Sequence, residues 1–155
     1  EVETVVTRNG QASLFAPDSL TAPDPIFDQP LQTSERTSRE RMVEIVNLYF
    51  DGIEAANASS VPFDPQCGRL ENGVQTATSA NIASQFAIFT YIDEVQRRVL
   101  IVDQERGLVW GIFLFMVSSQ SRTTFVAELF KITNEHLRSI NAFMVNQPYG
   151  KTWGW

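Results

Sequence analysis

Residues 108–133, LVWGIFLFMVSSQSRTTFVAELFKIT, set the fold. Two runs rich in aromatic and β-branched residues flank the turn residues Ser118 to Ser121, so the stretch reads as two neighbouring strands. The first run is apolar on both faces. In the second, Val126, Glu128, Phe130 and Ile132 alternate onto one face. A carboxylate on an apolar stripe must be paired, hydrogen-bonded or neutral. A sheet built from such strands has helices on one face and a second surface, often a partner subunit, on the other. The expectation is a homodimer, with Trp110, Phe113, Phe115 and Phe143 divided between core and interface.

Two further strands flank this pair. RRVLIVDQ (97–104) precedes it across Glu105-Arg106-Gly107, and LRSINAFMVN (137–146) follows it across Asn134-Glu135-His136. Upstream, TSRERMVEIVNLYFDGIEAAN (37–57) predicts a helix over 39–57. Thr37 and Glu40 form a capping box, and Met42, Ile45, Val46, Tyr49, Phe50 and Ile53 make one apolar stripe. NIASQFAIFTYIDEV (81–95) predicts a second helix, with Ile82, Phe86, Phe89 and Ile92 on one side. Between them, FDPQCGRLENG (63–73) predicts a strand that points Arg69 and Glu71 to the same face. The class is therefore α+β: a curved antiparallel sheet wrapped around a long N-terminal helix.

Residues 1–34 are set apart from a domain at 35–155. Pro17, Pro23, Pro25 and Pro30 mark an extended arm, and Asn9-Gly10 between two β-prone runs signals a hairpin before it. A chain that opens in mid-strand suggests the tail of an upstream module. The whole has 155 residues, the size of one domain. Charged residues make up 19%, below the roughly 25% usual for soluble domains. A net charge of −6 argues against a nucleic-acid partner. No apolar run approaches the ~18 residues of a membrane span, and no signal peptide opens the chain. Cys67 is the only cysteine, which rules out an intrachain disulfide and a thiolate zinc site. Asn57-Ala58-Ser59 fits a glycosylation sequon, so both a cytoplasmic and a secreted location stay open.

The order of elements resembles the nuclear transport factor 2-like superfamily, a cone-shaped fold that includes ketosteroid isomerases and SnoaL-type polyketide cyclases. More narrowly, YFDGIE (49–54), VPFDPQCGRLENGVQT (61–76), VDQERGLV (102–109), AELFKI (127–132) and PYGKTWGW (148–155) resemble a largely uncharacterised bacterial and fungal family within it. The resemblance covers residues 35–155. Relatives pair a cysteine at the position of Cys67 with one in the next helical segment; that partner is missing here.

The resemblance to ketosteroid isomerases implies a site. There, a tyrosine on the first helix and a protonated carboxylate on a later strand form an oxyanion hole, and a second carboxylate abstracts a proton. This pattern places Tyr49 and Glu128 in the hole and Glu71 as the base. Arg69, Asn72, Phe86 and Trp110 complete the expected site as substrate-binding residues, with no metal and no cofactor. Competing readings stand beside these. Arg69 is either an ion-pair partner of Glu71 or Glu128, or a bidentate holder of a substrate carboxylate or phenolate. Tyr49 is either catalytic or a core tyrosine, and Asn72 beside Gly73 fits a turn. Cys67 fits a small buried residue, His136 a surface turn, and Asp93 and Asp103 solvated strand ends. Trp153 and Trp155 would cover either the pocket or a neighbouring subunit. The implied activity is isomerisation, dehydration or cyclisation of a mainly apolar small molecule. The alternative is a binding or dimerisation module on the same fold.

Overall fold

Helix α1 (Arg39–Glu54) starts at Ser38, whose hydroxyl accepts a hydrogen bond from Arg41 N at 3.2 Å. Thr37, the expected cap, instead accepts from Glu135 N and ties the helix start to a distant turn. The helix stops three residues short of Asn57. Ala56 takes φ +50°, and Asn57 N and Ala56 N turn back to Gly52 O and Ile53 O, which satisfies the last carbonyls and ends the helix. In this computed structural model residues 6–12 and 14–152 are described. Residues 1–5 of the expected opening hairpin, Trp153 and Trp155 lie outside them. Asn9-Gly10 does form a turn, but residues 6–12 contain no strand.

Six strands follow among the described residues: β1 (Phe63–Glu71), β2 (Val74–Ala77), β3 (Glu94–Asp103), β4 (Leu108–Val117), β5 (Arg122–Thr133) and β6 (His136–Pro148). Their spatial order is β2-β1-β6-β5-β4-β3. The fully antiparallel sheet expected is corrected at one seam, since β1 and β6 pair in parallel. The connection from β2 to β3 crosses from one edge of the sheet to the other. The β3–β6 meander therefore returns to β1 in the same sense, and a parallel pair needs such a long crossover.

That crossover contains the predicted second helix, which is also corrected. Only Ser84–Ile88 forms a short 3-10 turn. Ile82, Phe86, Phe89 and Ile92 still enter the core. Phe86 packs edge-on against Tyr49 (5.4 Å between ring centres), Phe63 and Phe89. A segment this short gains little from helix formation alone, so its aromatic contacts decide the conformation.

All six apolar positions of α1 are buried against the concave face of the sheet, where Val109, Phe113, Val126 and Phe130 meet them. The register of β4 sends Leu108, Trp110, Ile112 and Leu114 to the convex face, opposite Val109 and Phe113. The proline-rich arm crosses that convex face. It is not simply extended: 3-10 turns occupy Pro17–Ser19, Pro25–Phe27 and Thr33–Glu35. Ala16 N donates to Asn72 O at 2.9 Å, Leu31 N to Glu105 O at 2.8 Å, and the buried Lys131 ammonium to Gln29 O at 2.9 Å. Phe27 and Leu31 are buried, so this segment packs against the rest of the fold.

Candidate functional site

Two features of β1 build the site. Strand alternation puts Arg69 and Glu71 on the concave face, and the two-residue turn Asn72-Gly73 folds β2 back beside them. Both turn residues have positive φ, +48° and +83°, as a tight hairpin of this twist requires. At Gly73 a side chain would also collide with Ala16 O.

The Arg69 guanidinium is 3% exposed and uses all three of its nitrogens. Nε donates to Thr76 Oγ1 at 3.2 Å and lies 3.3 Å from Glu71 Oε1. Nη1 donates to Tyr49 Oη at 3.0 Å and Nη2 to Gln85 Oε1 at 3.0 Å. Gln85 in turn donates to Thr76 O, closing a ring of polar contacts. The Phe89 ring lies 5.5 Å from the guanidinium carbon. Burial alone would lower the pKa of Arg69, but Tyr49, Glu71 and Glu128 outweigh it and hold the group charged.

Behind Arg69, Tyr49 Oη donates to Glu128 Oε1 at a long 3.5 Å. Glu128 Oε2 is buried without a hydrogen-bond partner among the described residues. Burial pushes the Glu128 carboxyl up to about 8, with Arg69 opposing and Glu71 reinforcing the rise. Burial likewise raises the Tyr49 phenol, against the pull of Arg69. The apolar-stripe carboxylate is thus held largely neutral at pH 7, one of the three outcomes its position allowed.

The raised carboxyl makes stability depend on pH. Because the folded-state pKa of Glu128 lies above its unfolded value, its contribution is greatest below pH ~4.5 and is lost as pH rises through about 8. Glu128→Leu should remove that loss, so the variant should gain most over wild type above pH 8, by up to several kcal/mol. Denaturant melts of both proteins between pH 5 and 9 test this. Equal pH slopes, or a variant that does not fold, would instead make Glu128 a required partner of Arg69 and Tyr49.

In front of Arg69 lies a cavity of about 380 Å³. Arg69, Glu71, Thr76, Gln85 and Arg122 are among its polar lining; Phe89, Ile92, Phe115 and Met144 are among its apolar lining. Glu71 is partly buried, with 15% of its side chain exposed. Of the expected residues, then, Glu71 and Arg69 face the cavity. Tyr49 and Glu128 join the same network from behind Arg69 and do not line it.

Three expected contacts fall elsewhere. Asn72 is a structural turn residue: Nδ2 donates to Leu14 O and Met144 O, and Oδ1 accepts from Met144 N. Phe86 is fully buried in the aromatic core. Trp110 is on the convex face, because one step along a strand reverses side-chain direction. Cys67 is buried, and its thiol is pushed up to about 12 by burial and by Asp64, which makes it a poor nucleophile. His136 is exposed at the first residue of β6, just after the turn Asn134-Glu135. Among the described residues no cluster of His, Cys, Asp or Glu is suited to hold a metal ion, and no helix is long and apolar enough to cross a membrane.

Thr76, Gln85 and Arg122 are among the wall residues that lie outside the expected set. Arg122 was within reach of the sequence, since it lies two residues before Thr124 on the same alternating face as Val126 and Glu128. Thr76 and Gln85 carried no such signal; the β1–β2 hairpin and the crossover bring them in.

Residues 35–144 match a family described as a domain of unknown function, DUF8021. The chain belongs to the DUF8021 family. No curated protein matches it in sequence. Several solved structures share the fold of this DUF8021 chain. A protein of unknown function with a cystatin-like fold from Methylobium petroleophilum PM1 superposes with TM-score 0.58 at 20% identity, over 77% of this chain and 85% of that one. An NTF-2 like protein of unknown function from Burkholderia xenovorans LB400 gives 0.55 at 13%, over 75% and 90%. The BvnE pinacolase from Penicillium brevicompactum gives 0.53 at 11%, over 75% and 88%. The DUF8021 chain has the nuclear transport factor 2-like fold, whose known structures include enzymes as well as proteins without an assigned activity. At these identities the likeness concerns the fold.

Proposed function

We propose that the DUF8021 domain binds a small, mainly apolar molecule in the concave cavity and moves a proton on it, without a cofactor. The observation that carries this reading is Glu71: a carboxylate in the wall of a largely apolar cavity, one oxygen engaged by Arg69, on the strand face that points at the ligand space. Glu71 is the proton acceptor. Arg69, charged and part of the same wall, stabilises the oxyanion that develops as the proton leaves. Tyr49 and Glu128 become positioning residues in this scheme. They hold the Arg69 head group from behind, a different role from the direct oxyanion contacts that the ketosteroid isomerase pattern implied. A pinacolase of the same fold is consistent with catalysis in such a cone, although fold alone does not assign chemistry.

Exchange of α-protons in D₂O, followed by NMR for a panel of cyclic ketones and 1,3-dicarbonyls, tests the reading. Catalysed exchange that depends on Glu71 supports it. A second reading, binding without turnover, draws on the same Arg69–Glu71 contact, because a carboxylate engaged by a guanidinium weakens that contact when it accepts a proton. Saturable ligand binding with no exchange above buffer would favour that reading.

We also propose that the chain forms a homodimer through the convex face. Phe143 is 41% exposed and Ile101, which pairs with Trp110, is 56% exposed, which is unusual for large apolar residues on one sheet surface. Light scattering at micromolar concentration should return twice the chain mass; a monomer at tens of micromolar would remove the proposal.

A further inference from the structure

We propose that Arg122 is a carboxylate-binding subsite, so that the ligand of this cavity is a monoanionic acid with an apolar body. The inference deepens the reading of the cavity as a small-molecule site and rests on it, but it needs no proton transfer. Arg122 opens β5 and lines the cavity. It begins the alternating stripe that continues through Thr124 and Val126 to Glu128, so the sheet itself aims it at the concave side.

Its hydrogen bonding sets it apart from Arg69. Arg69 has a partner on every nitrogen, whereas Arg122 Nε is buried with no hydrogen-bond partner among the described residues. A buried N–H on a cationic group is costly to leave unpaired, so the Arg122 guanidinium gains from an anion brought against it in the cavity. The Tyr91 ring lies 5.9 Å from the guanidinium carbon. An aromatic ring over the face of a guanidinium holds its plane and leaves its edge for a coplanar acceptor.

Charge selects the class of anion. The charged groups of the wall are Arg69, Arg122 and Glu71. Glu71 offsets Arg69, with which it pairs, and the charge of Arg122 is left over. A single carboxylate balances it and matches the planar fork of the guanidinium, while a dianionic phosphate would meet Glu71 on the same wall. The cavity volume, about 380 Å³, lies at the small end of the range for ligand pockets. Phe89, Ile92, Phe115 and Met144 receive the apolar body.

The test is a titration of the wild-type protein with acetate, benzoate and cinnamate, and with the matching amides, while the Arg122 Nε–H resonance is followed by ¹⁵N NMR. That resonance is assigned by its loss in Arg122→Lys. Benzoate and cinnamate should shift it saturably, and their amides should not. Arg122→Met should weaken benzoate binding at least tenfold, whereas Arg106→Met, at an exposed arginine outside the cavity, should keep it. Three results would overturn the proposal: an unmoved resonance with all three acids, equal shifts with acids and amides, or undiminished benzoate affinity in Arg122→Met. Failure of the Glu71 proton-transfer reading would appear only in the exchange assay and would leave this titration unchanged.

Discussion

Glu71→Gln is expected to lower catalysed proton exchange by roughly two to four orders of magnitude, the usual worth of a positioned general base. The substitution keeps the shape of the side chain and an oxygen that can accept from Arg69 Nε, now 3.3 Å from the carboxylate. Folding should therefore persist, with a melt close to wild type. The comparison separates chemistry from architecture because the removed property is basicity, while the Arg69 network and the cavity wall remain. Exchange that continues at the wild-type rate in Glu71→Gln would show that Glu71 is not the base. The cavity would then be read as a binding site, and Arg69–Glu71 as a structural pair at its wall.

The largest expected loss of stability follows from Arg69→Met. Arg69 is the hub of the site: Tyr49, Glu71, Thr76 and Gln85 all direct polar atoms at it, and Glu128 lies just beyond Tyr49. Methionine fills part of the volume but leaves several buried acceptors without a donor. Removing one partner of a buried charged pair costs about 3–5 kcal/mol. For a chain of this size that corresponds to a fall in melting temperature of roughly 6–20 °C. Arg69→Lys should recover little, because one ammonium cannot reach Tyr49, Gln85 and Glu71 with the geometry of a guanidinium fork. Arg69→Met combined with Glu71→Gln should lose less than Arg69→Met alone, since the second change neutralises the stranded carboxylate. Calorimetric melts of the four proteins check this. An Arg69→Met protein within about 1 kcal/mol of wild type would mean that the network positions groups without holding the fold.

Much of the candidate site is legible in the residue pattern. Glu128 stands out because period-two alternation places a carboxylate among Val126, Phe130 and Ile132, and all four prove to be buried on the concave side. Arg69 and Glu71 are linked by the same period, and Tyr49 by the helical stripe of α1. What alternation could not supply was depth. Tyr49, Arg69 and Glu128 share one network, yet only Arg69 meets the cavity, because its long side chain crosses in front of the other two. Asn72 and Trp110 show how sharp the limit is. Both neighbour residues of the site in sequence, but one is taken up by a positive-φ turn and the other points through the opposite face of the sheet.

Local rules suffice for α1 and its burial, for β1 and the run β3 to β6, and for a turn at Asn72-Gly73, but they did not register β2. Those rules are apolar periodicity of 3.6 or 2, and turn residues that tolerate positive φ. The parallel seam between β1 and β6, the unwound crossover carrying Phe86 and Phe89, and the docking of the arm on the convex face emerge only in the assembled fold. Each depends on contacts between residues far apart in the chain, such as Phe86 with Tyr49 or Gln29 with Lys131. The free energy of those contacts exceeds the weak local preferences of the segments that make them, and no local pattern records it.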